Sequence, residues 1–132
     1  MNQYTLLVII LAVVYTFWTF MKKFGTSGGT KISPTDAKKR LDTEKGIVLL
    51  DVRTRNEYLE KHIPKSTLIS LDVLEKEASR KLSAKDTEIF VYCRSGSRSS
   101  VAVKTLLKLG YTHVYNLGGI MRWPYETVSG NR

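Results

Sequence analysis

The sequence holds one cysteine, Cys93, among 132 residues, and two histidines. A lone thiol cannot close an intramolecular disulfide in any compartment. It also cannot run a dithiol–disulfide cycle, which needs a second, resolving cysteine. Thiol–disulfide oxidoreductases are therefore excluded. No group of His, Cys, Asp and Glu has the spacing of a metal site, so neither a metal nor any other cofactor is expected. Internal repeats and low-complexity tracts are absent as well. Charge is missing from one end: all 21 Lys and Arg and all 12 Asp and Glu lie at or after Lys22, so the whole net charge of +9 belongs to residues 22–132.

The uncharged end is a continuous apolar run, Tyr4 to Met21. As a helix it spans roughly 27 Å, close to the hydrocarbon thickness of a bilayer. A cleaved signal peptide wants a basic start and small residues at its end. Here Met1-Asn2-Gln3 carries no side-chain charge, and Phe17, Trp18, Phe20 and Met21 are bulky aromatic or long side chains suited to a membrane interface. Gly25 to Gly29 still offers a cleavage point, and that alternative stays open. A buried soluble helix fits less well, because no polar face interrupts the run. The expectation is a single-pass membrane anchor over residues 1–23. Lys22, Lys23, Lys31, Lys38, Lys39 and Arg40 come after the run and no cation precedes it, which by the positive-inside rule puts the remainder in the cytoplasm. The basic excess suits an anionic membrane surface. No basic–aromatic motif points to nucleic acid, and most of the excess reads as solvated surface charge.

Residues 24–32 read as a Gly/Ser/Thr-rich tether, and residues 33–128 as one domain. Ser33-Pro34 is a helix start, with Ser as cap and Pro at the first helical position. Ile47 to Asp51 is an apolar run of strand length, as in a strand buried on both faces. A short helix over Arg55 to Lys61 and a weak strand over Thr67 to Leu71 come next. The second such helix covers Val73 to Lys81, with Val73 and Leu74 facing inward. Glu88 to Cys93 is a strong strand. From Ser99 to Leu109 a helix places Val101, Val103, Leu106, Leu107 and Leu109 on its apolar side, and Gly110 stops it. His113 to Leu117 is a last strand, and a helical turn over Ile120 to Trp123 ends at Pro124. Strands alternating with helices predict an α/β fold with a small parallel sheet flanked by helices.

Cys93 stands where the strong strand gives way to Arg94-Ser95-Gly96-Ser97-Arg98, with a helix expected from Ser99. A loop entering a helix presents unpaired N–H groups and the positive end of the helix dipole. Both attract an anion, and both acidify a thiol. Arg94 and Arg98 add formal charge, Gly96 permits unusual backbone angles, and Ser95, Ser97 and Ser99 keep the cradle open. Cys93 then reads as a nucleophile beneath a bound oxyanion. A cysteine that simply packs at a strand end is the alternative.

Cys93-Arg94-Ser95-Gly96-Ser97-Arg98 resembles the active-site loop Cys-Arg-x-Gly-x-Arg of the rhodanese (sulfurtransferase) family. Asp51-Val52-Arg53, Glu57-Tyr58 and His62-Ile63-Pro64 are similar to that family's first signature. Asn116-Leu117-Gly118-Gly119-Ile120 with Trp123 resembles its last. The three occur in family order and cover most of the chain after residue 50. The resemblance implies a small α/β domain in which Cys93 accepts sulfane sulfur from a donor such as thiosulfate and passes it to a thiol or protein acceptor. It implies that backbone N–H groups from Arg94 to Ser99 receive the sulfur, and that Arg94 and Arg98 hold the anionic donor. Lys65-Ser66 departs from the family's usual Gly-Ala, and Arg122 stands where a small residue is common.

Rival readings attach to the same residues. A cysteine phosphatase has five residues between Cys and Arg; here four separate Cys93 from Arg98, and Ser99 holds the position of the phosphatase arginine. The tighter ring favours sulfur. A membrane-anchored binding module without chemistry is the other alternative, against which stands the presence of Cys93 with both arginines. Asp51 reads as a structural partner of Arg53 or a loop N–H, His62 as a turn histidine bonded to backbone, Gly118-Gly119 as a tight turn and Trp123 as core.

Overall fold

The structure, a computed structural model, describes residues 2–23, 29–82 and 84–131. It begins with helix α1 (Gln3–Lys23). The Gln3–Met21 stretch has a mean hydropathy of 2.0 and no part of it is buried, so it is long and apolar enough to cross a membrane. Five strands then make one sheet: β1 (Thr30–Lys31), β2 (Val48–Asp51), β3 (Thr67–Leu68), β4 (Glu88–Cys93) and β5 (His113–Gly119). Their order is β1-β5-β4-β2-β3, and every pairing is parallel. Between them run α2 (Pro34–Thr43), α3 (Arg55–Glu60), α4 (Leu74–Lys81) and α5 (Ser97–Lys108), with 3-10 turns at Leu71–Val73 and Ile120–Arg122. The expected α/β class, with a parallel sheet between helices, is what the chain forms.

Strand alternation sorts the core into two layers. Ile89, Val91 and Cys93 of β4 join Leu50, Val52, Ala102, Val103 and Leu106 on the side of α4 and α5. Phe90 and Tyr92 point the other way, to Leu49, Ile63, Leu117, Ile120 and Ala37 of α2. Burying one such aliphatic or aromatic side chain is worth about 1.5–3 kcal/mol. Helix starts are set by local chemistry. The Ser33 hydroxyl accepts the Asp36 N–H at 3.1 Å, with Pro34 at the first helical position as expected. Thr54 and Glu57 form a reciprocal capping box on α3.

Several expected boundaries shift. Residues 24–28 of the tether lie outside the described residues, but Thr30–Lys31 is a strand paired with Tyr115 and Asn116. The edge of the sheet therefore includes two residues ahead of residue 33. The strand expected over Thr67 to Leu71 is only Thr67–Leu68, because the chain turns into a 3-10 helix at Leu71. Val73 is 39% exposed while Leu74 is fully buried, since α4 begins one residue later than its apolar pattern suggests. In α5 the buried residues are Ser99, Ala102, Val103 and Leu106, whereas Val101 is 51% exposed. The last strand runs on to Gly119, and Trp123 is half-buried against the α2 layer rather than enclosed.

Candidate active site

Strand β4 delivers Cys93 at its final position, on the face that carries Ile89 and Val91 toward α5. The chain turns through Arg94-Ser95-Gly96 and enters α5 at Ser97, two residues before the expected start at Ser99. Gly96 makes this possible. It caps the helix at φ 111°, ψ −12°, a left-handed geometry that side chains resist, and its N–H donates to Cys93 Sγ at 3.0 Å. The thiol is thus fully enclosed at the N-terminus of a twelve-residue helix.

Burial pushes the Cys93 thiol up. The nearby Ser99 N–H and hydroxyl dipole, and then the N–H groups of Gly96 and Ser95, outweigh it and hold the thiol below its ordinary value, while the Ser99 hydroxyl proton itself goes to Gly96 O at 2.9 Å. Ser99 is itself fully buried, whereas Arg94, Ser95 and Ser97 are exposed. The seven residues from Cys93 to Ser99 thus run from the end of β4 through the turn at 94–96 into the start of α5, and they face different surroundings.

Strand β5 braces that turn from beneath. The β4–β5 register shifts between Val91 and Tyr92, so that Val91 pairs with Asn116 but Tyr92 with Gly118 and Cys93 with Gly119. The extra residue is accommodated by Gly118 at φ 91°, whose N–H donates to Asn116 Oδ1 at 2.9 Å. Asn116 Nδ2 donates to Ser100 Oγ at 3.1 Å, and the Ser100 hydroxyl donates to Gly96 O at 2.9 Å. The Met121 N–H donates to Arg94 O at 3.2 Å. A β-carbon on Gly119 would lie 2.2 Å from Arg94 O and 2.7 Å from Ser95 Cα. Gly119 is therefore a site of close backbone approach, a more specific role than the tight turn expected from Gly118-Gly119.

The two loop arginines differ. Arg94 is exposed and, among the described residues, has no ion-pair partner. Arg98 forms a fork with Glu57 of α3, at 2.7 Å from Nη1 to Oε1 and 3.0 Å from Nη2 to Oε2. Glu57 Oε1 also accepts the Thr54 N–H at 3.2 Å. The Arg98 guanidinium, aided by Thr54, holds the Glu57 carboxyl down to about 2 despite partial burial. Sequence reasoning missed Glu57, Ser100 and Asn116 as neighbours of the loop. The capping signal Thr54-x-x-Glu57 locates Glu57 on α3, but no local pattern announces a partner 41 residues away.

The other singled-out residues are structural. Asp51 Oδ1 accepts the Arg53 N–H at 2.9 Å and Oδ2 accepts Nη2 at 2.7 Å, a buried pair whose Nη2 also donates to Lys61 O at 2.7 Å. His62 bonds Tyr58 O through Nδ1 at 2.8 Å and stacks on the Tyr58 ring, as expected of a turn histidine. The departure at 66 acquires a reason, and the one at 65 carries a cost. Ser66 Oγ accepts the hydroxyl of buried Tyr92 at 3.0 Å, a partner that alanine could not supply. Lys65 sits at φ 67°, where glycine is at ease and lysine is not. Two surface grooves, of about 380 and 510 Å³, flank α2, and no residue of the Cys93 loop lines either.

Residues 33–125 match the model of the rhodanese-like domain. The chain is 37% identical over 98 residues to YrkF of Bacillus subtilis, covering 74% of this chain and 52% of that protein. It is 32% identical over 81 residues to the thiosulfate sulfurtransferase PspE of Escherichia coli, covering 61% of this chain and 78% of PspE. It spans only 24% of another relative, the adenylyltransferase and sulfurtransferase UBA4 of Candida albicans, with 32% identity and 75% of this chain covered. Among solved structures, the Alr3790 protein of Anabaena superposes with a TM-score of 0.71 at 30% identity, over 76% of this chain and 81% of that one. With the cysteine loop, the parallel sheet and the family match in agreement, the chain belongs to the rhodanese-like sulfurtransferase family.

Proposed function

We propose that the chain moves sulfane sulfur from thiosulfate, through a persulfide on Cys93, to a thiol or protein acceptor. The Cys93 thiolate attacks the outer sulfur of thiosulfate, the new S–S bond forms, and sulfite leaves with the electron pair of the broken bond. An acceptor thiolate then attacks the terminal sulfur and restores the Cys93 thiolate. Backbone N–H groups around the loop stabilise the sulfur that carries charge, and Arg94 draws the anionic donor. With no second cysteine in the chain, the sulfur must leave to an external acceptor. The observation that carries this reading is the enclosed Cys93 thiol at the entry to α5, met at 3.0 Å by the Gly96 N–H of its own loop.

In this reading residues 33–128 are the body of the transfer domain, residues 24–32 a tether whose last part, Thr30–Lys31, docks on the sheet edge, and residues 1–23 an anchor that keeps the domain at the cytoplasmic face of a membrane. The length and apolarity of Gln3–Met21 support the anchor, and the cations after it support the orientation.

The test is mass spectrometry after incubation with thiosulfate. Full-length protein should gain the mass of one sulfur atom, release it to cyanide as thiocyanate, and do neither as Cys93→Ser. No adduct would move the chain to a non-catalytic binding module, and rapid hydrolysis of an aryl phosphate would move it to the phosphatases. Protease should digest the domain in inverted membrane vesicles and spare it in right-side-out ones; the opposite pattern overturns the orientation.

A further inference from the structure

The loop carries two arginines, but among the described residues only Arg94 has no carboxylate partner. Arg98 is held by both of its terminal nitrogens on Glu57, and Glu57 is held in turn by the Thr54 N–H and hydroxyl at the start of α3. A fork of this kind fixes the guanidinium in orientation as well as neutralising it. Arg98 nevertheless remains within electrostatic reach of Cys93, whose thiolate charge helps to raise the Arg98 pKa. The second cation of the loop is therefore present but balanced.

We propose that Glu57 is a positioning residue that tunes the donor charge the loop accepts: by clamping and neutralising Arg98, it lowers the advantage of doubly charged thiosulfate relative to singly charged sulfur donors. The inference rests on the sulfurtransferase reading and refines it. A donor must give up its outer sulfur to the Cys93 thiolate, itself an anion. Thiosulfate brings two negative charges, and its second charge finds no unpaired arginine other than Arg94 among the described residues of the loop. An organic thiosulfonate brings one charge and the same transferable sulfur. The Cys93–S bond forms, the S–SO₂R bond breaks, and sulfinate departs with the electron pair.

The experiment compares kcat/KM for thiosulfate and for benzenethiosulfonate, with cyanide as acceptor, in the full chain and in Glu57→Gln. Glutamine keeps a carbonyl for the Thr54 N–H but releases the Arg98 charge. The ratio of thiosulfate to thiosulfonate should rise about threefold, the scale of one partly exposed ion pair. It should fall back to the starting ratio in Glu57→Gln/Arg98→Gln, and the rise should shrink in high salt. Should Glu57→Gln unfold, Glu57→Asp, too short to hold both nitrogens, should move the ratio the same way by a smaller factor. A ratio unmoved by freeing Arg98, or a rise that persists without Arg98, overturns the inference. Absence of sulfur uptake from either donor by the unaltered chain overturns the sulfurtransferase reading and this inference together; uptake with an unmoved ratio overturns this inference alone.

Discussion

Gly119 lies directly against the carbonyl of Arg94, with no room between them for a β-carbon. Because its φ of −108° suits any residue, the requirement at this position is purely one of space. Gly119→Ala should therefore displace the Arg94-Ser95 backbone and the N–H groups aimed at Cys93. We expect a loss of roughly 1–3 kcal/mol in urea unfolding, typical of overpacking. Thiosulfate turnover should fall further than that loss alone explains, since the loop is the element displaced. A folded Gly119→Ala protein with full activity would mean that the loop tolerates a shift that its hydrogen bonds do not suggest.

Ser99 contributes both its N–H and its hydroxyl to the low Cys93 pKa, and only the hydroxyl can be removed by substitution. In Ser99→Ala the pH midpoint for alkylation of Cys93 by iodoacetamide should rise, because the hydroxyl dipole is lost both beside the sulfur and from Gly96 O. An unchanged midpoint would assign the effect to the backbone N–H groups alone.

The Glu57 carboxyl is held at about 2, below the ordinary 4.5, chiefly by Arg98. A depressed carboxylate contributes stability that is fully present above its unfolded pKa and is lost as pH falls through the folded value. The pair should thus support the fold above about pH 4.5 and lose that contribution as the pH falls to about 2. For a partly exposed pair, about 1 kcal/mol is the expected scale. Chemical denaturation at a series of acid pH values should show a shallower decline in Glu57→Gln than in the unaltered chain.

Lys65 holds a left-handed backbone that costs a non-glycine residue about 1–2 kcal/mol. Lys65→Gly should recover part of this, about 0.5–1 kcal/mol after the added chain entropy of glycine in the unfolded state. Thermal unfolding would read this as a higher midpoint. Turnover should not change, because Lys65 is exposed and belongs to none of the contacts that brace the loop.

Much of this architecture is legible in the residues, and the illegible parts share a cause. The strand ending at Cys93 is plain because Ile89 to Tyr92 is an unbroken apolar run, and α2 is plain because Ser33-Pro34 is a local capping signal. Asp51 and Arg53 stand two residues apart, so their pairing is within reach of sequence reasoning too. Thr30–Lys31 is different: two polar residues carry no strand pattern, and only the waiting edge of β5 makes them one. The start of α5 is misjudged because Gly96 acts as a cap through its backbone, without a side-chain signature. Glu57, Asn116 and Gly119 matter to the loop through contacts 41, 16 and 25 residues away in sequence, distances over which no periodicity operates.

The short strand β1 also has a mechanical meaning. The Ile32 N–H, just beyond it, donates to Asn116 O at 3.0 Å, and the side chain of the same Asn116 holds Ser100 and the Gly118 N–H. A tug arriving from the N-terminal side would load this two-residue seam before any other part of the sheet. The first backbone to feel the strain would be the one from which the sulfur loop is hung.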